Sequence, residues 1–480
     1  MTQALRPLTL LACLTAVLAL GPATHAQSPA PPARGPMTLT GPLTVAAVGD
    51  SIALRPLHVY EQQPAFAAVR DLIRHATVGF TNFEFTVFDL HRFRPTPQAE
   101  NGGLAVYAGP EQAKELQWMG FNMVSRANNH ATDLGVEGME ETDQILDSIG
   151  LVHAGTGATL GDARAPAYLQ TPEGRVALIS TASTFTPMSR AGATRFDMKG
   201  RPGVNALRTT RTIDLEPAAF DALKAAVAKM DIQPPPKPFT DTEMAAFGEH
   251  FKKGTADRIE IDADERDVQD ILAQVRSARR EADFVYVVIH AHEPSNQSET
   301  PPDFLPGFAH ACIDAGADLF ITHGPHQLRG VEIYKGKPIF YSLGNFIFQY
   351  QTLDRLSADD YEKDKLDMYR ATVGDFFDDV IRNRKGLGFT EDVWWESAVA
   401  VVKFDHNELQ SVELHPIDLG ADLPPSQRGT PRIAAPALAK TIVDRIIRLS
   451  APFGTRVRDV NGVAVVDLTP PGRPESPAPR

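Results

Sequence analysis

His323 and His326 stand three residues apart in DLFITHGPHQLRGVEIYKGKPIFYSLGNFIF (318–348), between two short apolar runs. Neutral imidazole is the commonest side-chain ligand for metal ions, so the pair points to a metal site. The run DLFIT has the length and β-branched content of a buried strand. The polar burst THGPH begins where that run stops, which puts both histidines on a loop. There Gly324 and Pro325 bend the backbone and turn both rings toward one point, a geometry that a continuous strand denies to residues three apart. PIFYSLGNFIF reads as a second strand closing against the first.

Other apolar runs end in the same way. LTVAAV is followed by Gly49 and Asp50, TVGFT by Asn82 and Glu84, NMVSR by Asn128, Asn129 and His130, and FVYVVI by His290, His292 and Glu293. Between these runs, PAFAAVRDLIRHA, PEQAKELQWMG, GMEETDQILDSIG and DVQDILAQVRSARREA carry apolar residues at helical spacing, several ending in glycine. Strand then helix, repeated, predicts an α/β (α+β) fold with a largely parallel or mixed sheet covered by helices. Ligands in such folds gather at the carboxyl ends of the strands, where all of these polar clusters fall.

Asp50, Glu84, Asn129, His290, His323 and His326 form a set of oxygen and nitrogen donors without sulfur. Such a set suits one or two divalent ions of manganese, zinc, magnesium or iron. Two metals roughly 3.5–4 Å apart clamp the oxygens of an in-line displacement at phosphorus. His130 is placed to protonate a leaving group. Asn82, Asn128, His292, Glu293, Glu332 and Asn345 are candidates for orienting the ligands, and His292 is equally a candidate ligand.

Targeting and composition narrow the setting. Residues 1–26 combine a basic start at Arg6, an apolar stretch from Leu8 to Leu20 and a small-residue exit at Ala26, the pattern of a secretory signal peptide. That predicts a secreted or periplasmic protein, with an uncleaved anchor as the alternative. Past Ala26 the one remaining cysteine is Cys312, so neither an intrachain disulfide nor a thiolate metal site is available. A formal charge of −13 argues against nucleic acid or an anionic membrane as the main partner.

In order and spacing, GDSIALRP, TNFEF, SRANNHATDLG, VVIHAHE and THGPHQLRGVEIYKGKPIFYSLGNF together resemble the CapA family of poly-γ-glutamate capsule synthesis proteins, over about Leu43 to Phe348. The resemblance implies a calcineurin-like metallophosphoesterase-type domain, a layered αββα sandwich with a dinuclear site. Its GD motif falls on Asp50, its NxE motif on Asn82 and Glu84, and its NNH motif on Asn128, Asn129 and His130. Its later histidine falls on His290, its histidine pair on His323 and His326, and its LGNF on Gly344 and Asn345. The usual DxH and GDxxD signatures are not intact, because Ser51 and Ile52 follow Asp50 and Glu84 stands where a bridging aspartate is expected. Ala291 and His292 replace the family's tryptophan and glycine. The number of ions therefore stays open at one or two.

The expected organisation is a signal peptide (1–26), a flexible linker (27–42) and the CapA-like domain (43–350) with an insertion at about 185–265. A helical segment with a closing β-hairpin around His406 and Asn407 (351–420) and a C-terminal helix with a loose tail (421–480) complete it. Arg201 and Arg208 in the insertion are candidates for binding an anion. Three functions compete: a metal-dependent phosphoesterase-type hydrolase, a non-catalytic factor that binds or exports a capsule polymer, and a metal-dependent polymer-cleaving amidase. The expected partners are an anionic polymer or a phosphoester, with a membrane polymer synthase as a further candidate.

Overall fold

The apolar runs become strands because their β-branched and aromatic side chains are covered on both faces. In a computed structural model, which describes residues 35, 37–89, 91–92, 95–230, 240–383 and 390–468, they form two sheets. The leader and most of the linker lie outside the described residues. The linker's last residues are held down, with Leu39 N–H donating to Asn407 Oδ1 at 2.8 Å. No helix among the described residues is long and apolar enough to cross a membrane.

The first sheet contains β1 (Pro42–Ile52), β2 (Val78–Phe83), β3 (Met123–Ser125) and β4 (Val152–Ala154), parallel and in that order. The second is built on β5 (Gly174–Ala182), β6 (Phe284–His290), β7 (Leu319–His323) and β8 (Lys337–Phe340), also parallel. One apolar core lies between the sheets, joining Val45, Ala47 and Phe80 of the first to Leu178, Tyr286, Val288 and Ile321 of the second. A second core lies outside the first sheet, under α1 (Pro64–Arg74), α2 (Glu111–Met119) and α3 (Gly135–Ile149). A third lies outside the second sheet, under α4 (Glu265–Ala278) and α5 (Phe304–Asp314). The result is a mixed α/β sandwich of four layers, helix, sheet, sheet, helix. Gly120 and Gly150 close α2 and α3 with φ of 112° and 71°, the left-handed cap that glycine adopts without a Cβ penalty.

Two expectations about the central segment are corrected. His323 is the last residue of β7, not a loop residue, and only His326 sits on the loop, with a φ of 59°. PIFYSLGNFIF is two strands in different sheets. Lys337–Phe340 pairs with β7, whereas β9 (Asn345–Phe348) crosses over to run parallel to β1. The crossing turns at Gly344, whose carbonyl accepts the Asp50 N–H at 3.0 Å. Gly49 lies so close that an added Cβ would be 1.8 Å from that same carbonyl oxygen. The glycine of the GD motif is therefore required by the crossover.

The later segments also depart from expectation. The hairpin β10 (Glu396–Asp405) and β11 (Glu408–Asp418) turns at His406 and Asn407, with the two positive φ values of a type I′ turn. It is more than a closing appendage, because β10 is antiparallel to β1 in the centre of the first sheet. The expected C-terminal helix is α6 (Pro436–Ser450), which plugs the inter-sheet core, and 457–466 add an unexpected hairpin to the same sheet. Residues 469–480 lie outside the described residues. The insertion carries its own four-stranded sheet, with a small core around Phe220, Met244 and Phe251.

Gly49→Ala is expected to lower stability by ~3 kcal/mol or more, because neither backbone at the crossover can give way. Urea denaturation checks this, and Gly307→Ala, where an added Cβ meets nothing within 4 Å and the backbone is not left-handed, is the control that should cost far less.

Candidate metal centre

Parallel registers bring the polar ends of the strands into two facing rows. In the first sheet Asp50 is level with Asn82 and Asn345, and Asn82 with Ser125. In the second, His290 is level with His323 and Ala182. The strand β1 shifts register around Asp50, a bulge that re-aims a side chain toward the opposing sheet.

Two groups of metal-type donors result, Asp50 with His290 and His323, and Glu84 with His292 and His326. In the first, His290 Nδ1 and His323 Nδ1 are 3.0 Å apart, and Asp50 Oδ1 lies 3.8 and 3.7 Å from them. Donors sharing one cation at about 2.1 Å stand about 3.0–3.4 Å from each other, so the triangle is of cation size. The groups adjoin at His290, whose Nε2 is 2.8 Å from His292 Nε2 and 3.6 Å from Glu84 Oε1. Glu84 Oε1, Asn129 Oδ1 and His323 Nε2 are buried without a hydrogen-bond partner. Unused lone pairs at this depth are costly unless an electrophile takes them up. The donor set fits a divalent metal cofactor.

Electrostatics agree. Burial pushes the Asp50 carboxyl up, and pushes Glu84 well up, with the Asp50 charge beside it adding to the effect. Burial likewise pushes His290, His292 and His326 down and takes His323 to about 3. The imidazoles are thus held neutral, the form that ligates a metal. Burial biases the carboxyls toward their protonated forms until a cation balances their charge.

Supporting bonds orient these groups. Asp50 accepts from Asn82 Nδ2 at 2.8 Å and from Gly324 N–H at 3.0 Å. Asn128 Nδ2 donates to Asn82 Oδ1 at 3.1 Å, and Glu293 accepts from Ser183 and Thr184. His326 Nδ1 is 2.8 Å from Asn345 Oδ1, and His292 Nδ1 is 2.7 Å from Asn296 Oδ1, which leaves the Nε2 atoms for a ligand. The buried Arg126 guanidinium donates to Phe85 O at 3.0 Å and so steadies the loop that carries Glu84.

Asn129 belongs to neither group, but it shares with His130, His292 and His326 the wall of a cavity of about 710 Å³. His130 Nδ1 is 2.6 Å from Asp133 Oδ2, and its Nε2 is 3.0 Å from the Tyr350 hydroxyl. Phe348, Phe376, Phe377 and Trp394 line it too, with Phe348 and Trp394 packed against the His326 ring at centroid distances of 5.6 and 4.6 Å. Sequence reasoning missed Asp133, Asn296, Tyr350 and this aromatic wall. Asp133 stands three residues beyond His130 in the motif that drew attention, a spacing from which the pair was readable.

Three candidates belong elsewhere. Glu332 accepts from the Tyr341 hydroxyl at 2.6 Å and lies 2.9 Å from His310 Nε2, so it orients no histidine of the centre. Arg201 and Arg208 line a different cavity of about 210 Å³. Arg208 is occupied there by Asp264 and Asp267, at 3.0 and 2.6 Å. Distant pairing partners of this kind leave no trace in local sequence.

The family described as bacterial capsule synthesis protein PGA_cap matches residues 44–350 of the chain. An uncharacterized protein, y4sH, of Sinorhizobium fredii is 42% identical over 433 residues, 88% of this chain and 93% of the relative. The PGA biosynthesis protein CapA of Bacillus subtilis is 27% identical over 310 residues, 64% of this chain and 63% of the relative. Among solved structures, the NAD nucleotidase of Haemophilus influenzae aligns with 84% of this chain and 55% of its own at 11% identity, with a TM-score of 0.28 too low to bear on the fold.

His323→Ala is expected to remove the metal bound by the Asp50 group, and His292→Ala the metal bound by the Glu84 group. Elemental analysis of each variant checks the assignment. Because burial raises the carboxyls' proton affinity without a cation, metal uptake should release protons and its apparent affinity should rise with pH. Calorimetric titration in two buffers of different ionisation enthalpy measures the release.

Proposed function

Because the chain belongs to the PGA_cap family of bacterial capsule synthesis proteins, we propose that it is a metal-dependent hydrolase acting in capsule or polymer biology, of the phosphoesterase type and on a calcineurin-like fold. The observation that carries this reading is the adjacency of the two donor groups to a cavity wall bearing a histidine–aspartate pair. When bound, a divalent ion there would supply Lewis acidity to a phosphoryl or carbonyl oxygen.

The protein's own groups do the rest. Asp133 accepts from backbone Gly102 and Val106 as well as facing His130 Nδ1, so the ring is fixed with a proton on Nδ1 and Nε2 turned to the Tyr350 hydroxyl. In the doubly protonated ring, whose charge Asp133 offsets at Nδ1, the Nε2 proton passes to a departing oxygen and leaves the neutral Nδ1–H form that Asp133 holds. Gly102 leaves room for this, since a Cβ there would stand 2.7 Å from the His130 ring. The cavity carries Glu293, Asp360 and Asp364 against a single Lys363. That balance suits a substrate with one anionic group at the metals and an apolar body better than a bare polyanion. A leader that directs export, an anionic polymer as a more distant substrate, and a neighbouring membrane synthase complete the proposed setting. Amide cleavage in a polymer is the competing use of the same chemistry.

The metal-loaded protein is expected to hydrolyse bis(p-nitrophenyl) phosphate, with activity lost in Asp50→Ala and His323→Ala. His130→Asn should lower kcat by about 10²-fold or more while metal content is unchanged. A fully loaded protein that leaves phosphodiesters intact but shortens polyglutamate would replace this reading with the amidase.

A further inference from the structure

The segment Met188–Arg201 is a loop folded back on itself as a finger, with an isolated bridge between Arg195 and Met198. At its base Gly192 and Arg201 exchange backbone bonds of 2.9 and 3.3 Å, and Leu160 N–H donates to Gly192 O at 3.0 Å. At its tip Arg195 N–H donates to Met198 O at 2.8 Å, which turns Phe196 and Asp197 outward. Phe196 is 93% exposed, Met198 70% and Met188 61%, the largest grouping of bare apolar side chains in a short stretch of the described residues. Solvent does not hold three such side chains on one finger at no cost, so the tip is built to be covered.

Its charge says by what. Arg190, Arg195, Lys199 and Arg201 stand in this segment against Asp197 alone, in a chain whose formal charge is −13. The finger's base also opens on the cavity of about 210 Å³ lined by Arg164, Arg190, Arg201, Arg208 and Arg266. Arg164 and Arg208 are taken by Asp267, Asp270 and Asp264. Arg190, Arg201 and Arg266 make no ion pair among the described residues; Arg201 Nε donates to Arg190 O at 2.9 Å, which leaves its terminal nitrogens and the other two guanidinium groups for a phosphate.

We propose that the finger is a membrane-surface contact. Phe196 and Met198 enter the headgroup region of an anionic bilayer, and the arginines at the base receive a lipid phosphate. Apolar tip, flanking cations and an arginine-lined cavity are the three parts that interfacial attachment needs, and here the finger carries the first two and borders the third. A soluble polyanion would use the cations but leave the aromatic tip in water. The inference is independent of the metal centre, whose residues it does not touch.

The test uses the full chain with vesicles of phosphatidylglycerol and phosphatidylcholine, or of phosphatidylcholine alone. Hydrogen exchange followed by mass spectrometry should show protection at 188–203 with the anionic vesicles only, and 0.5 M salt should reduce it. Local protection separates this contact from any binding by the apolar leader. Phe196→Ser with Met198→Ser should weaken the contact tenfold or more, and Arg190→Gln with Arg201→Gln and Arg266→Gln should abolish the preference for anionic lipid. Unchanged metal content and thermal midpoint in both variants keep misfolding apart. No protection of this segment, equal protection by neutral vesicles, or protection by free polyglutamate that survives the Phe196→Ser, Met198→Ser change would overturn the proposal, the last in favour of a soluble polymer.

Discussion

Two carboxyls and four imidazoles are packed together where water barely reaches, and the structure depends on keeping them there. Asp50, Glu84, His290 and His323 are completely buried, as they would have to be if chosen for packing, yet none is a packing residue. Burial alone drives the acids toward their protonated form and the bases toward neutrality. Such a cluster is stable without charge and becomes more stable when a cation enters, because the cation restores the carboxylates and takes the unpaired lone pairs. Metal affinity and fold stability are therefore the same quantity measured from two sides.

Holding the cluster requires that two sheets end at one place. The crossover from β8 in the second sheet to β9 in the first does this, and it passes through a backbone approach that only Gly49 allows. The crossover puts Asn345 beside His326 and Asp50 beside the backbone of Gly324. His326 accepts a left-handed backbone as part of this arrangement, a local strain of the kind found where side-chain direction matters more than local comfort. Asp50 and His326 are thus each held by an element from the opposing sheet.

The cavity in front of the centre is walled differently. Asn129, His130, His292 and His326 come from within 44–350, the span shared with the family, while Phe376, Phe377 and Trp394 come from later chain. The chemistry and the shape of the space above it are thus carried by separable parts of the sequence. A change in the later segment would alter what fits while leaving the ligands in place.

The strands, most of the helices and nearly every donor of the centre were legible in the sequence, because apolar periodicity and the polar residue that ends each run are local facts. The hairpin at His406 and Asn407 was equally legible, since a type I′ turn needs those residue types. Local pattern has no reach across sheets, and so it read 338–348 as one strand, missed the hairpin at 457–466 and gave Glu332 and Arg208 roles that distant partners had already claimed. It also left His292 undecided between ligand and support, a choice that only the position of Glu84 and His326 makes. By itself, the sequence determined which atoms were available to a metal, because residue type fixes donor chemistry. The tertiary structure alone decided how those donors divide into two adjoining groups, because that division rests on a register between strands from opposite sheets.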